Sequence, residues 1–233
     1  MTTRLRSLLL LFTGNARLPT SHFALRTILL LCAGSLFAQK TSVQNIEPRV
    51  EALLARMTVE EKIGQLTQMP GDISTGTDVA KDDLLNQIRS GKIGSILSHT
   101  NFQNKITMQR VATKETRLGI PIIFGFDVIH GYKTIFPIPL AQAASWEPDM
   151  IERIERIAAE EASADGQHWT FAPMVDISRD PRWGRNMEGS GEDPYLGSRI
   201  AEARVRGFQG KDLGANNTVA ACAKHFAGYG FVE

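Results

Sequence analysis

The chain has 233 residues, 42% of them hydrophobic and 22% charged, with 26 basic against 25 acidic side chains. A net charge of +1 offers no basic field for nucleic acid and no acidic solvating tail, and the composition is that of an ordinary globular protein. The length suits one large α/β domain or two small ones.

The opening stretch differs from the rest. Arg4, Arg6, Arg17 and Arg26 precede the apolar run from Ile28 to Ala38. A positive flank, about a dozen apolar residues and a small residue at the end describe a secretory signal over residues 1–38, cleaved after Ala38. The run is too short for a membrane span, which needs ~20 apolar residues. Export of this kind places the protein in the periplasm or outside the cell, with no stable membrane association after cleavage. A lipoprotein route through Cys32 is the alternative, and bulky Leu31 stands against it. After cleavage Cys222 is the only cysteine left, so no internal disulfide forms. Inside an apolar strand it reads as an inert core thiol.

Residues 39–49 are polar and read as a linker into a domain over 50–233. Val50, Leu53, Leu54 and Met57 follow a helical spacing, and Thr58-Val59-Glu60-Glu61 has the form of a capping box opening the next helix. A short strand is predicted over 63–68, and Pro70-Gly71-Asp72 breaks the chain. A helix over 78–90 turns Leu84, Leu85 and Ile88 inward, and a strand follows over 93–97. The next helix, 101–118, has Ile106, Met108, Val111 and Ala112 as its apolar residues. The run over 120–126 is too apolar for a half-exposed strand and is predicted to be buried on both faces. It ends on Asp127, then Val128-Ile129-His130-Gly131.

Two prolines make 136–140 a loop. Pro148 opens a helix to Ala164 that carries Ile151, Ile154, Ile157, Ala158 and Ala162. A strand over 169–176 ends on Asp176, and a polar loop runs to Asp193. Pro194 starts a helix that buries Leu196, Ile200, Val205 and Phe208. A last strand over 218–223 runs into Lys224-His225.

Strands alternating with helices mark the α/β class with a parallel sheet. No Gly-x-Gly-x-x-Gly turn and no Walker run is present, which disfavours a nucleotide fold. A (β/α)8 barrel takes ~250 residues. About five strands here describe an incomplete (β/α)8 TIM-type barrel, with the chain stopping partway round.

In such folds ligands are held at the carboxyl ends of the strands. The pattern puts Asp127, Asp176, Arg185, Lys224 and His225 there, with Glu188 and Glu192 in the long loop. Carboxylates accept hydroxyl protons while Lys, Arg and His donate to hydroxyl oxygens, so the set suits a neutral, hydroxyl-rich ligand. Hydrogen bonds to charged groups are worth about 1.5–3 kcal/mol each, enough for four to orient one sugar ring. Every member also has a plain structural reading. Asp127 alone would fix a turn, Asp176 would serve an internal hydrogen bond, and Lys224-His225 would be a solvated strand end. Arg182 reads as an internal salt-bridge partner beside Arg185, and Trp146 and Trp169 read as packing residues. A metal site built from Asp127, His130, His168 and His225 lacks the tight His-x-His that barrel metallohydrolases place on their first strand.

Five stretches in this order resemble glycoside hydrolase family 3, in its periplasmic and secreted β-glucosidase branch. They are Phe126-Asp127-Val128-Ile129-His130-Gly131, Ala172-Pro173-Met174-Val175-Asp176, Arg182-Trp183-Gly184-Arg185, Glu188-Gly189-Ser190-Gly191-Glu192-Asp193-Pro194 and Lys224-His225-Phe226. The resemblance implies exo-acting, retaining hydrolysis of β-glucosides or short β-glucans, with a small carbohydrate as partner and neither cofactor nor metal. It implies that Asp127, Arg185, Lys224 and His225 grip the hydroxyls of the sugar at the cleavage point. Asp176 would shape the floor of that pocket, and Glu192-Asp193 the loop that braces it.

The family's nucleophile is an Asp in a Ser-Asp-Trp or Ser-Asp-His motif, and its acid/base is a later Glu. Neither motif occurs in these 233 residues. The expectation is a front half that keeps sugar-binding groups and has no catalytic residue of its own. The alternative is a non-catalytic sugar-binding half-barrel that covers its open edge by pairing with a second copy.

Overall fold

A computed structural model describes residues 46–72 and 81–231, apart from the side chains of Lys81 and Asp82. The predicted signal over 1–38, the first part of the linker and the start of the helix at 78 lie outside the described residues. The chain divides into two units, residues 1–53 and 54–233. At the close of the first, helix α1 (Ile46–Leu54) has no buried residue and begins inside the predicted linker.

In the second unit, α2 (Val59–Leu66) starts on the predicted capping box. Thr58 Oγ1 accepts the Glu61 N–H at 3.2 Å, and Glu61 Oε2 accepts the Thr58 N–H at 2.9 Å. The predicted strand over 63–68 is instead the end of this helix. Once nucleated by its cap the helix runs on through Leu66, and the chain becomes extended only at Thr67. Strand β1 is Gln68–Pro70.

The alternation then proceeds through α3 (Lys81–Arg89), β2 (Ser95–Leu97), α4 (Phe102–Lys114) and β3 (Ile123–Phe126). After β3 come the short α5 (Pro139–Ala143), α6 (Pro148–Ala164) and β4 (Trp169–Thr170). A 3-10 turn (Asn186–Glu188) and α7 (Pro194–Gln209) complete the series. Among the described residues no helix is long and apolar enough to cross a membrane.

The four strands form one parallel sheet in the order β1-β2-β3-β4. Neighbours in space are neighbours in sequence, as in a barrel wall. A doubly wound sheet would reverse its order at a switch point.

The predicted strand over 218–223 appears only as two isolated parallel bridges, Trp169 with Ala220 and Met174 with Lys224. Five steps on one side match four on the other, so one extra residue bulges between them. Pro173 lies in that interval and has no N–H to donate, which also stops regular β4 at Thr170, short of the predicted 176. Pairing resumes beyond it, where Val175 N–H donates to Lys224 O at 2.6 Å. Bulges of this kind re-aim the side chains that follow, here towards the strand ends where Asp176 lies.

Two cores hold the helices to the sheet. Ile96 and Phe124 pack with Leu84, Ile88, Met108 and Val111 from α3 and α4. Val128, Ala172 and Val219 pack with Ala158, Ala159, Ala162 and Phe208 from α6 and α7. The last two helices approach closely through small residues, and a Cβ on Gly207 would lie 2.5 Å from Glu152 O.

Several predicted core positions are not buried. Ile106 and Ile157 are exposed because they fall beside the stripes set by Met108 and Val111 and by Ile154 and Ala158. Val205 is half-buried, since Ala203, Arg204 and Phe208 face the partner helix. On β3 Phe124 enters the helix-covered core, while Ile123 on the opposite face is 48% exposed, so this strand is not buried on both faces.

Candidate functional site

The predicted groups sit where the strands end. Asp127 follows β3 directly, in a loop pinned from three sides. Val128 N–H donates to Thr170 Oγ1 at 3.2 Å, the Arg204 guanidinium donates to Ile129 O, and His130 Nδ1 meets Phe136 O at 2.9 Å. Arg204 is itself fully buried and donates from Nε to Glu155 Oε1 at 2.5 Å. Burial pushes the Glu155 carboxyl up to about 7, against the pull of Arg204.

Lys224 leaves its bridge with Met174 and reaches back to Asp127, Nζ to Oδ1 at 3.3 Å. The Lys224 side chain is mostly buried and the Asp127 carboxylate largely open to solvent. Next along the chain, His225 meets Asp176: Nδ1 lies 2.7 Å from Oδ2, and the backbone N–H donates to the same oxygen at 3.1 Å. Asp176 is buried, and its carboxylate is taken up by these contacts to His225.

Arg185 stands in the loop after β4. Its Nε and Nη2 donate to the two Glu188 oxygens, both at 2.6 Å. This bidentate contact holds the Glu188 carboxyl below its usual range, aided by the fields of Lys224 and His225, and raises the guanidinium further. Arg185 Nη1 donates to the Tyr229 hydroxyl at 3.5 Å, and its guanidinium carbon is 5.7 Å from the Tyr229 ring centre. Tyr229 also packs edge-on against His225 at 4.8 Å and Trp183 at 5.0 Å.

The five predicted residues are therefore brought to one face. Asp127 pairs with Lys224, Asp176 with His225, and Arg185 joins them through Tyr229 and Glu188. An open depression here is lined by Asp176, Arg179, His225, Phe226 and Tyr229, among others. A more enclosed cavity, lined by Glu61, Ile88, Arg89, Arg117 and Ile120, lies towards the amino ends of the strands and contains none of these groups. What the cluster presents is a set of fixed charges with spare donors and acceptors, fit to hold hydroxyls.

The companions fall into supporting places. Asp193 caps α7 by accepting the Leu196 N–H at 2.8 Å, and Arg182 pairs with Asp180 at 2.6 Å. Trp169 packs on Phe171 with ring centres 4.3 Å apart, as expected of a packing residue. Trp146 does not: it is 71% exposed, at a residue with a positive φ of 56°.

The histidines of the metal alternative serve other partners. His130 meets Phe136 O, and His168 Nδ1 accepts the Phe124 N–H at 3.1 Å. Among the described residues no three or more His, Cys, Asp or Glu side chains gather as a metal centre requires. Sequence reasoning missed Tyr229. An aromatic four positions after His225 was the one available signal.

Comparison with known proteins agrees with this architecture. The chain is 45% identical over 184 residues to the periplasmic beta-glucosidase of Salmonella typhimurium, covering 79% of this chain and 24% of that protein. It is 33% identical over 212 residues to a putative beta-xylosidase of Formosa agariphila, covering 83% of this chain and 28% of that one. The beta-glucosidase from Listeria innocua, solved in complex with glucose, superposes with a TM-score of 0.68 at 42% identity, over 78% of this chain and 27% of that one. The chain thus spans about a quarter of the length of the relatives it matches. The model of the glycosyl hydrolase family 3 N-terminal domain matches residues 58–233, and the chain belongs to that family.

Proposed function

We propose that the protein carrying this domain hydrolyses terminal β-glucosidic linkages in β-glucosides or short β-glucans, and that the domain over 50–233 contributes to holding the sugar. Asp127, Arg185, Lys224 and His225 grip its hydroxyls, and Asp176 supports them. The observation that carries the reading is the meeting of Asp127 and Lys224 at 3.3 Å beside the His225–Asp176 pair. Fixed donors and acceptors at strand ends suit an uncharged polyol, and two of the relatives above are named as β-glucosidases.

Cleavage in this proposal is retaining, by two carboxyls ~5–5.5 Å apart. The 233 residues contain no Ser-Asp motif to supply the nucleophile. By itself the polypeptide therefore binds sugar without turnover. Export follows from the arginine-flanked apolar run of residues 1–38, in keeping with the periplasmic name of the Salmonella relative.

Calorimetry with glucose, alongside release of an aryl alcohol from an aryl β-glucoside, tests both halves on the 233-residue chain. Glucose uptake without aryl release is expected. Absence of any glucose binding overturns the site, and steady aryl release overturns its inactivity.

A further inference from the structure

We infer that Asp176 is a positioning residue that fixes the tautomer of His225 and makes its outward nitrogen, Nε2, a hydrogen-bond acceptor in the site. What that acceptor meets rests on the sugar reading above; the brace itself rests on geometry.

The Asp176 side chain is 4% exposed and that of His225 34%. Oδ2 of Asp176 accepts the His225 backbone N–H at 3.1 Å and lies 2.7 Å from ring Nδ1. Oδ1 also lies within reach of that backbone N–H, at 3.3 Å. An oxygen already taking a backbone N–H acts as an acceptor, so Nδ1 carries the ring proton. In the neutral imidazole the lone pair is then left on Nε2, the nitrogen away from the buried carboxylate. A half-turn of the ring would set a carbon against Asp176 and deprive a buried carboxylate of a partner, which is costly. Tyr229, edge-on at 4.8 Å, closes another side of the ring.

The consequence for recognition concerns two successive residues. Lys224 can only donate, and a His225 held this way accepts. Together they offer one donor and one acceptor to neighbouring hydroxyls, a match for a vicinal diol in which one hydroxyl takes a proton and the next gives one. Residue types alone cast both as donors. The buried carboxylate reverses the second.

The test is 15N NMR of the His225 ring in the 233-residue chain at about pH 8, above the usual imidazole range, with glucose titration of the wild type and Asp176→Ala. The wild type should show a proton on Nδ1 and a bare Nε2. In Asp176→Ala no carboxylate holds the Nδ1 proton, so the Nε2-protonated ring should gain population and glucose affinity should fall about tenfold or more, the worth of one misdirected hydrogen bond. A wild-type ring protonated on Nε2, or ring signals unchanged in Asp176→Ala, overturns the assignment. Should the variant fail to fold, the wild-type spectrum decides by itself. A wild type with Nδ1 protonated but no glucose uptake keeps the brace and removes the sugar reading.

Discussion

Lys224 and Asp127 stand 3.3 Å apart although 97 residues separate them in the chain. One closes β3 and the other leaves the bridged segment beyond β4, so only the parallel sheet brings them together. The Asp127 side of the pair is open to solvent and the contact is long, so the pair adds little to stability, on the scale of ~0–1 kcal/mol for exposed ion pairs. Its value lies in what it presents. Asp127→Ala should therefore lower glucose affinity by about tenfold to a hundredfold, the worth of one or two hydrogen bonds to a charged group. Its unfolding midpoint should stay near that of the wild type. Calorimetric titration and thermal melting of the same samples check both halves.

The Arg185–Glu188 contact carries a pH dependence of known sign. Glu188 sits below its ordinary 4.5 in the fold, chiefly through its hydrogen bonds to Arg185. A carboxyl depressed by folding stabilises above its unfolded value, and that contribution fades as pH falls through the folded one. Wild type should be more stable than Glu188→Gln by about 1 kcal/mol at neutral pH, allowing for partial exposure. The gap should close on acidification below 4.5. Urea titrations across that range provide the comparison.

The Glu155–Arg204 pair is buried on both sides. Removing one partner leaves an uncompensated charge or an orphaned carbonyl, at a cost of about 3–5 kcal/mol. Arg204→Leu also loses the bond to Ile129 O and should fall in that range. The double replacement Glu155→Leu with Arg204→Leu should recover part of the loss, because no unpaired ion remains. Equal losses in the single and double variants would show that the ion pair is not the origin.

At Gly64 helix propensity and packing disagree. Alanine in a helix normally gains ~0.5–1 kcal/mol over glycine. Here a Cβ would lie 1.9 Å from the carbonyl oxygen of Gly91, backbone that cannot swing aside. Gly64→Ala should destabilise by about 2 kcal/mol, the usual scale of overpacking. A shift of the urea midpoint to lower concentration is the expected readout.

What could be read from the chain alone was whatever leaves a local signature. Thr58 with Glu61 marks a helix start through bonds made within one turn, and the prolines at 148 and 194 do so through a fixed φ and an N–H the first turn does not need. Strand-terminal Asp127 and Asp176 stand out because a charge follows an apolar run. The Ile63–Leu66 stretch misled because so short a segment shows no period of its own: Ile63 and Leu66 stand three apart, as in the last turn of a helix, and the cap upstream decides. Tyr229 gave only that of an aromatic four positions after His225, and Arg204 and Glu155 gave no such signal. Their roles arise from partners 44, 75 and 49 residues away, at distances that only the folded sheet supplies.

Arg204 links a helix of the outer layer to the carbonyl of Ile129, two residues past Asp127. The turn carrying that carboxylate is consequently completed from behind, by a side chain that arrives only when α7 has closed over α6. A loosely collapsed chain has nothing to hold the turn in shape, so competence for ligand emerges together with tight interior packing and vanishes with it. On the sugar-binding reading proposed above, glucose uptake is expected to be lost when the contact between the two helices is loosened.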